Sequence, residues 1–387
     1  MKYLKLNGKV SNISFSKNST DGGISNSVKI IDNYLKKEDI NSQWVTYENI
    51  SNLKKSNFLK NYLISLNNVK DIVHFHGLWR AHSRLTNLNE IKYVISPHGM
   101  LMPNCLKRSK LKKSISSIIW EDSFIKKATY LFTLSIQEAS TIPKKYINKK
   151  IILFPNSVHI PSNKQFNHSL SPPWAKDIKD SKKVLLFLSR FDSLKGIYLL
   201  IDAWKNLTNL QKINNWGLAI VGYGDNGKLK KYIEVLKNEN QLKDVFVYPP
   251  AFGEIKDICF RKADAFILPS LSEASPMAAL EALSYGKPSI ISKACGIYET
   301  AIHINKRYQK SYQMPYIECL PQILSIQDSL DKLFNMNQKL LRDLSYKSIE
   351  FINKNHNLED NFWELLNIYK CILENKKIPS KYLYDQN

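Results

Sequence analysis

The chain has 387 residues, of which 43% are apolar and 11% aromatic, and its formal net charge is +22. This composition supports buried cores and excludes a disordered or fibrous chain. The five cysteines show no CxxC spacing, and no apolar run approaches the ~18 residues that a membrane span needs. We therefore expect a soluble cytoplasmic protein with reduced thiols.

The positive charge is concentrated in the first half of the chain. Residues 1–170 hold 26 Lys and Arg against 10 Asp and Glu, whereas residues 171–387 hold 30 against 24. A basic half favours an anionic partner, which is nucleic acid, a phosphorylated substrate or an acidic membrane surface.

Short β-branched and aromatic runs alternate with amphipathic runs, the pattern of βα units in parallel sheets. The clearest early helix places Ile24, Val28, Ile31 and Leu35 on one face. The strands predicted in the first half are Val10–Ser16, Gln43–Glu48, Asp71–Gly77, Lys92–Ser96, Thr129–Ser135 and Ile151–Phe154.

A proline-containing polar gap from Val158 to Lys182 separates two such halves. We predict a first Rossmann-like domain over residues 1–165, a second over 166–355, and a C-terminal helix within 356–387 that packs back on the first domain. The second half is predicted to alternate between strands and helices over Lys183–Arg190, Gly196–Leu207, Trp216–Gly222, Lys228–Asn238, Val245–Tyr248, Asp264–Pro269, Pro276–Tyr285 and Pro288–Ser292.

The segment Leu268–Pro288 places two carboxylates eight positions apart, with Glu273 before a helix and Glu281 two turns along it. In a doubly wound sheet such a loop lies at the carboxyl ends of the strands, where ligands bind beside the free N–H groups of a helix start. The pair suits two sets of sugar hydroxyls. The alternative is a helix N-terminal charge and an ordinary solvated glutamate.

This segment resembles the E-x7-E signature of the retaining family 4 glycosyltransferases of the GT-B fold, or glycosyl transferases group 1. Two further pieces agree in order and spacing with that family. Leu188–Gly196 resembles its R-x4-K-G element, and Val221–Asp225 resembles its G-x-G turn. The resemblance implies an α/β fold of two Rossmann-like doubly wound domains that face each other across a cleft.

By this resemblance, Arg190 and Lys195 bind the diphosphate of a sugar nucleotide, Glu281 the ribose hydroxyls and Glu273 the hydroxyls of the donor sugar. Two cations five positions apart on a strand-to-helix turn can neutralise a diphosphate leaving group as its charge develops. The alternative is a pair of surface cations. The remaining residues expected to bind the donor are Gly222, Pro276, Met277 and Ala278.

The first half carries matching elements. Gly22 and Gly23 resemble the family's glycine loop, where the missing β-carbon allows the backbone to approach a phosphate. Ser96–Leu101 resembles its histidine motif and implies that His98 faces the donor sugar. His74–Arg80 resembles its H-x-H-G segment and puts His76 near the acceptor. The alternatives are a core or surface histidine for His98, a structural role for His74, and an ordinary turn for the glycines.

A basic run, Lys107–Lys113, follows the histidine motif and opens a predicted helix with an apolar stripe of Leu111, Ile115, Ile118 and Ile125. Such a helix fits an anionic lipid surface, or it holds the pyrophosphate of a lipid-linked acceptor through cations such as Lys107 and Arg108. The alternative is a solvated face in a lysine-rich chain.

The resemblance implies a retaining hexosyltransferase that uses a nucleoside-diphosphate sugar, and we expect it to build a cell-surface polysaccharide or lipopolysaccharide at the inner face of the cytoplasmic membrane. Its acceptor is a glycan or a polyprenyl-pyrophosphate-linked glycan. The sequence has no Asp-x-Asp, so we expect no metal and no cofactor beyond the donor. A nucleotide-sugar epimerase is the alternative enzyme. A nucleic-acid-binding protein is suggested by charge alone, without an aromatic stacking surface.

Overall fold

The computed structural model describes residues 6, 8–18, 22–47, 54–66, 69–84, 91–161, 169–209, 215–305 and 313–385. They form two compact units, each containing a largely parallel sheet and helices. The first unit comprises Met1–Asn156, Glu299–Gln309 and Leu358–Asn387, and the second comprises Ser157–Tyr298 and Lys310–Asn357.

Within the described residues, the first unit has a seven-stranded sheet in the order β13-β6-β5-β4-β3-β1-β2, parallel except for β13, which is Leu383–Tyr384. Strand order reverses between β1 and β3, so the carboxyl ends of these two strands flank a topological switch point. The elements are β1 Val10–Ser14, α1 Gly23–Lys37, β2 Ser42–Thr46, α2 Lys54–Ile64, β3 Ile72–His76, β4 Tyr93–Ser96, α3 Pro103–Lys107, α4 Lys110–Ser116, α5 Asp122–Lys127, β5 Tyr130–Thr133, α6 Ile136–Ser140 and β6 Ile151–Leu153.

The second unit has a six-stranded sheet in the order β12-β11-β10-β7-β8-β9, and all of its pairings are parallel. Its switch point lies between β7 and β10. The elements are β7 Lys183–Arg190, α7 Ile197–Asn209, β8 Trp216–Tyr223, α8 Lys228–Asn238, β9 Val245–Tyr248, α9 Gly253–Lys262, β10 Ala265–Leu268, α10 Met277–Ser284, β11 Ser289–Ser292, α11 Ile297–Ile304, β12 Ile317–Cys319, α12 Ile323–Phe334 and α13 Gln338–Asn355. From Glu299 onward, α11 belongs to the first unit.

The chain ends in the first unit with helix α14, Leu358–Leu373, and strand β13, Leu383–Tyr384. Leu366 and Tyr369 of α14 are fully buried in the same core cluster as Val10 of β1. Apolar residues at a spacing of three to four turn one face of a helix to the sheet, which is why this helix packs there. Strand β13 then pairs antiparallel with β6 and becomes the edge strand of the sheet.

The predicted strands agree with the structure where the apolar runs are long. Strand β7 has the predicted bounds Lys183–Arg190, whereas β2 begins one residue earlier than predicted and the predicted end at Glu48 lies outside the described residues. The predicted helix after the basic run is divided into α4, a π-helical turn over Ser117–Glu121, and α5. Within the described residues, no helix is long and apolar enough to cross a bilayer.

Candidate active site

In the second unit, the two strands at the switch point deliver the loops that carry the predicted donor residues. Strand β7 ends at Arg190, and β10 ends at Leu268 before the loop that leads into α10. A crevice between two such loops is where open parallel sheets bind ligands. The local fold therefore assigns ligand-binding positions to the segments after Arg190 and after Leu268.

Lys195 and Glu273 reach across this switch point and form an ion pair. The two side chains are only 18% and 12% exposed, and the Ser270 hydroxyl donates a further hydrogen bond of 3.2 Å to Glu273 Oε1. The backbone joins the loops as well, because the Leu271 N–H donates to the Leu194 carbonyl oxygen at 2.8 Å. Two residues predicted to bind different parts of a donor are thus in direct contact with each other.

Gly196 allows the two loops to approach this closely. Its φ of +71° lies in the left-handed region, and a Cβ added there would stand 2.0 Å from the carbonyl oxygen of Pro269. The preceding 3-10 turn, Ser193–Lys195, is capped by Asp192, whose carboxylate accepts from the Leu194 N–H at 2.9 Å. The Asp192 cap and the Gly196 conformation therefore fix the backbone position from which the Lys195 side chain extends.

Arg190 is exposed at the end of β7. Across the part of the chain that the structure describes, its guanidinium forms no ion pair or side-chain hydrogen bond. Gly222, on the neighbouring β8, pairs with Ser189, and a Cβ there would stand 1.9 Å from the Ser189 carbonyl oxygen. A side chain at residue 222 would push the ends of β7 and β8 apart next to Arg190.

The second carboxylate of the E-x7-E segment has a different partner. Glu281 accepts from Lys256 Nζ of α9 at 2.6 Å, and the two side chains are 17% and 21% exposed. Burial raises the pKa of the Glu281 carboxyl, while the Lys256 ammonium opposes this shift. Sequence reasoning missed Lys256, since nothing in its local pattern distinguishes it from other helical lysines.

Helix α10 begins directly after the loop, with Pro276 at the N-cap and Met277 as its first residue. No side chain caps this helix start, and no acidic residue stands in its first turn. The N–H groups at the start of a helix favour anions. The predicted donor residues Met277 and Ala278 therefore lie at an electropositive helix end at the switch point.

In the first unit, the predicted histidines converge at the ends of β3 and β4. His76 Nε2 donates to Asn12 Oδ1 at 3.2 Å, which leaves Nδ1 to accept from His98 Nε2 at 3.1 Å. His98 has a φ of +52°, and burial lowers its pKa to about 4. His98 is therefore a neutral imidazole at pH 7 with Nδ1 as a hydrogen-bond acceptor.

His74 is held in the interior. Its ring nitrogens lie 2.6 Å from the Tyr369 hydroxyl and 2.8 Å from the Ser96 hydroxyl, and its ring stacks on His76 at 4.1 Å between centroids. Burial lowers the pKa of His74 to about 3. These contacts give His74 a structural role, tying β3 to β4 and to α14.

Glu138 holds the backbone of the histidine motif through a hydrogen bond, and sequence reasoning missed this residue. Its fully buried carboxylate accepts from the Gly99 N–H at 2.5 Å and from the Leu134 N–H at 2.8 Å. Burial raises the pKa of Glu138 to about 7, against the lowering effect of these two hydrogen bonds. The pattern Ser135-x-x-Glu138 at the start of α6 is a capping signal, and Ser135 does cap Glu138 N.

The other predicted residues of this unit lie at two further places. Gly22 caps α1 with a φ of +90°, a conformation that favours glycine, and Gly23 is the first residue of that helix. The preceding Asp21 lies outside the described residues. Lys107 ends α3 and Arg108 follows it, both exposed. Lys107 lines a cavity of about 430 Å³ together with Lys110, Lys113, Trp79, Ile118 and Lys145.

Residues 173–311 match the family model described as "Glycosyl transferases group 1". This stretch contains the Lys195–Glu273 pair, Arg190 and Glu281. The second unit carries a glycosyltransferase group 1 domain. The match covers less than half of the chain, and the first unit lies mostly outside it.

An uncharacterized glycosyltransferase of Methanocaldococcus jannaschii is 26% identical over 255 residues, which are 60% of this chain and 60% of that protein. This alignment thus leaves about two fifths of the relative's length unmatched.

Among solved structures, sucrose-phosphate synthase of Thermosynechococcus elongatus has a TM-score of 0.72 at 16% identity, covering 95% of this chain and all of that one. Anabaena HepE, solved with UDP and glucose, has a TM-score of 0.66 at 12% identity, covering 94% of this chain and 99% of that one. These neighbours show the fold, which is GT-B, with the two parallel-sheet α/β domains that the sequence predicted.

Proposed function

We propose that the chain is a retaining glycosyltransferase that moves a hexose-type sugar from a nucleoside diphosphate to a glycan or lipid-linked acceptor. The observation that carries this proposal is the switch point of the group 1 domain, where exposed Arg190 and the Lys195–Glu273 pair follow adjacent strands. The biological role we propose is the assembly of cell-surface polysaccharide or lipopolysaccharide at the inner face of the cytoplasmic membrane.

The donor is proposed to bind with its diphosphate toward Arg190, Lys195 and the start of α10. Cations and helix N–H groups stabilise the charge that develops on a leaving diphosphate. Glu281 then accepts from the ribose hydroxyls and Glu273 from those of the sugar. That Anabaena HepE was solved with UDP and glucose supports a nucleotide sugar as the ligand.

His98 is proposed to act as a neutral hydrogen-bond acceptor rather than as a cation. Its lowered pKa keeps the ring uncharged at pH 7, and Nδ1 can accept a hydrogen bond from a hydroxyl of the donor sugar. We propose front-face substitution, in which the leaving diphosphate takes the acceptor proton, so no enzyme nucleophile is required. We expect no metal, because the sequence lacks Asp-x-Asp.

The test measures binding and slow hydrolysis of UDP-, GDP-, ADP- and dTDP-sugars, with and without EDTA, for the native protein, Arg190→Ala and Glu281→Ala. The matched controls are Arg342→Ala and Glu234→Ala, both exposed on helices of the second unit. Losing a charge-assisted hydrogen bond should weaken binding at least about tenfold in the two site variants and leave the controls unchanged.

Each other outcome argues against part of this proposal. Binding of no sugar nucleotide contradicts the transferase. Binding that EDTA abolishes contradicts metal independence. Conversion of the bound nucleotide sugar to its epimer, without release of sugar, indicates the epimerase instead.

A further inference from the structure

Four large apolar side chains stand in solvent on one short segment of the first unit. They belong to α4 and the π-helical turn that follows it, and their exposed fractions are 76% for Leu111, 50% for Ile115, 84% for Ile118 and 62% for Ile119. Single exposed apolar residues are ordinary, but a cluster on one segment marks an interaction surface. We name residues 107–119 the basic helical surface.

The same segment is strongly positive. Lys107, Arg108, Lys110 and Lys112 are all exposed on it, and the sequence has no Asp or Glu from residue 103 to residue 120. The next two acids do not compensate this charge. Glu121 is fully buried, and Asp122 already accepts from Lys145 and Tyr146.

A cavity of about 430 Å³ adjoins the basic helical surface. Lys107, Lys110 and Lys113 line it, together with the apolar side chains of Leu106 and Ile118. Lys113 points inward and donates to the carbonyl oxygen of Cys105. Cations and apolar groups therefore both line the cavity, beside the Asp122 carboxylate that is paired with Lys145.

We propose that the basic helical surface docks on a bilayer containing anionic phospholipid. The isoleucines insert between head groups, the lysines contact lipid phosphates, and the cavity receives a head group. A protein partner would be expected to use a mostly neutral apolar centre, because charged residues are depleted there. Four exposed cations on a segment that has no Asp or Glu from residue 103 to residue 120 complement an anionic membrane instead. The proposal does not depend on the identity of the sugar donor.

The expected affinity follows from the number of cations. Each Lys or Arg near an anionic surface strengthens binding about fivefold. Removing two charges in Lys110→Gln/Lys112→Gln should therefore weaken partitioning about 25-fold. Leu111→Asp/Ile118→Asp removes two apolar groups and adds two negative charges, and it should lower partitioning at least as much.

The experiment is co-sedimentation of the full chain with vesicles of phosphatidylglycerol and phosphatidylcholine, compared with phosphatidylcholine alone. Two controls carry the same substitutions in the second unit: Lys230→Gln/Lys231→Gln, exposed on α8, and Leu324→Asp, whose side chain is 72% exposed on α12. We expect binding only to the anionic vesicles, lost in both surface variants and kept in both controls. Circular dichroism and sugar-nucleotide binding report whether each variant is folded.

Three results would overturn the proposal. The first is equal binding to both vesicle types, and the second is no binding to either. The third is light scattering that shows a dimer for the native protein and a monomer for Leu111→Asp/Ile118→Asp. In that case a second copy of the chain, rather than a membrane, covers the surface. We expect the surface variants to keep binding the sugar nucleotide. A loss of vesicle binding alone then tests the membrane proposal separately from the proposed transferase function.

Discussion

Mild acid is expected to destabilise the first unit through its buried histidines. His74 is 2% exposed and His82 is fully buried, and burial lowers their pKa values from 6.5 to about 3 and about 4. A folded-state pKa below the unfolded one means that the unfolded chain binds more protons as pH falls. The stability is therefore present above pH 6.5 and is lost progressively down to the folded pKa.

The magnitude follows from these shifts. The fall of the His82 pKa from 6.5 to about 4 corresponds to about 3.4 kcal/mol of stability when titration is complete, of which about 2 kcal/mol is lost between pH 7 and pH 5. His74 loses a similar amount over that interval. Glu138 opposes them, because its raised pKa of about 7 adds stability as pH falls. Comparing the pH dependence of the unfolding free energy in the native protein and in a histidine variant isolates the contribution of that histidine.

The variant His82→Gln provides that difference. His82 Nε2 donates to the Gly77 carbonyl oxygen at 3.1 Å, and a glutamine amide can keep this donor while removing the titration. Urea unfolding followed by circular dichroism at pH 7 and pH 5 should show that the variant loses about 2 kcal/mol less than the native protein. An unchanged pH dependence in His82→Gln would refute the reasoning.

Three further variants test individual contacts by urea unfolding. Gly196→Ala places a Cβ 2.0 Å from a backbone carbonyl oxygen at positive φ and should cost at least about 2 kcal/mol, whereas Gly23→Ala, with nothing within 4 Å, should cost nothing. Lys195→Met should cost about 3 kcal/mol, because Glu273 loses its ion-pair partner, and an unchanged stability would contradict the pairing. Tyr369→Phe should cost about 1 kcal/mol for the lost hydrogen bond of 2.6 Å, and a stabilised variant would contradict it.

Strands β1 to β11 were predictable because parallel strands are buried on both faces and appear as continuous apolar runs, whereas the short β12 and the antiparallel β13 were not predicted. The conformation of the segment after the histidine motif was not predictable either. Its apolar stripe predicted one continuous helix, but Ser109 adopts a left-handed conformation and a π-helical turn ends at Glu121. Glu121 accepts from the Trp79 N–H at 3.1 Å and from the Ser83 hydroxyl at 2.7 Å. These contacts span about 40 residues and leave no local signal.

The candidate site divides in the same way. Motif spacing identified Glu273 and Glu281, because both lie on one loop and the helix that follows it. Their partners come from elsewhere in the fold: Lys195 from the turn after β7 and Lys256 from α9. Only the strand order brings these elements together, so the sequence pointed to Glu273, Glu281 and Lys195 separately but predicted neither Lys256 nor the two ion pairs.

These pairings assign different roles to the two cations of the R-x4-K-G element. Lys195 shares its charge with Glu273, so together they bring a nearly neutral pair to the switch point. Arg190 is exposed and, within the described residues, shares its charge with no carboxylate. For the diphosphate that we propose as ligand, we therefore expect the net attraction at this element to depend on Arg190. We accordingly expect Arg190→Ala to weaken donor binding without loss of stability, and Lys195→Met to lower stability as well.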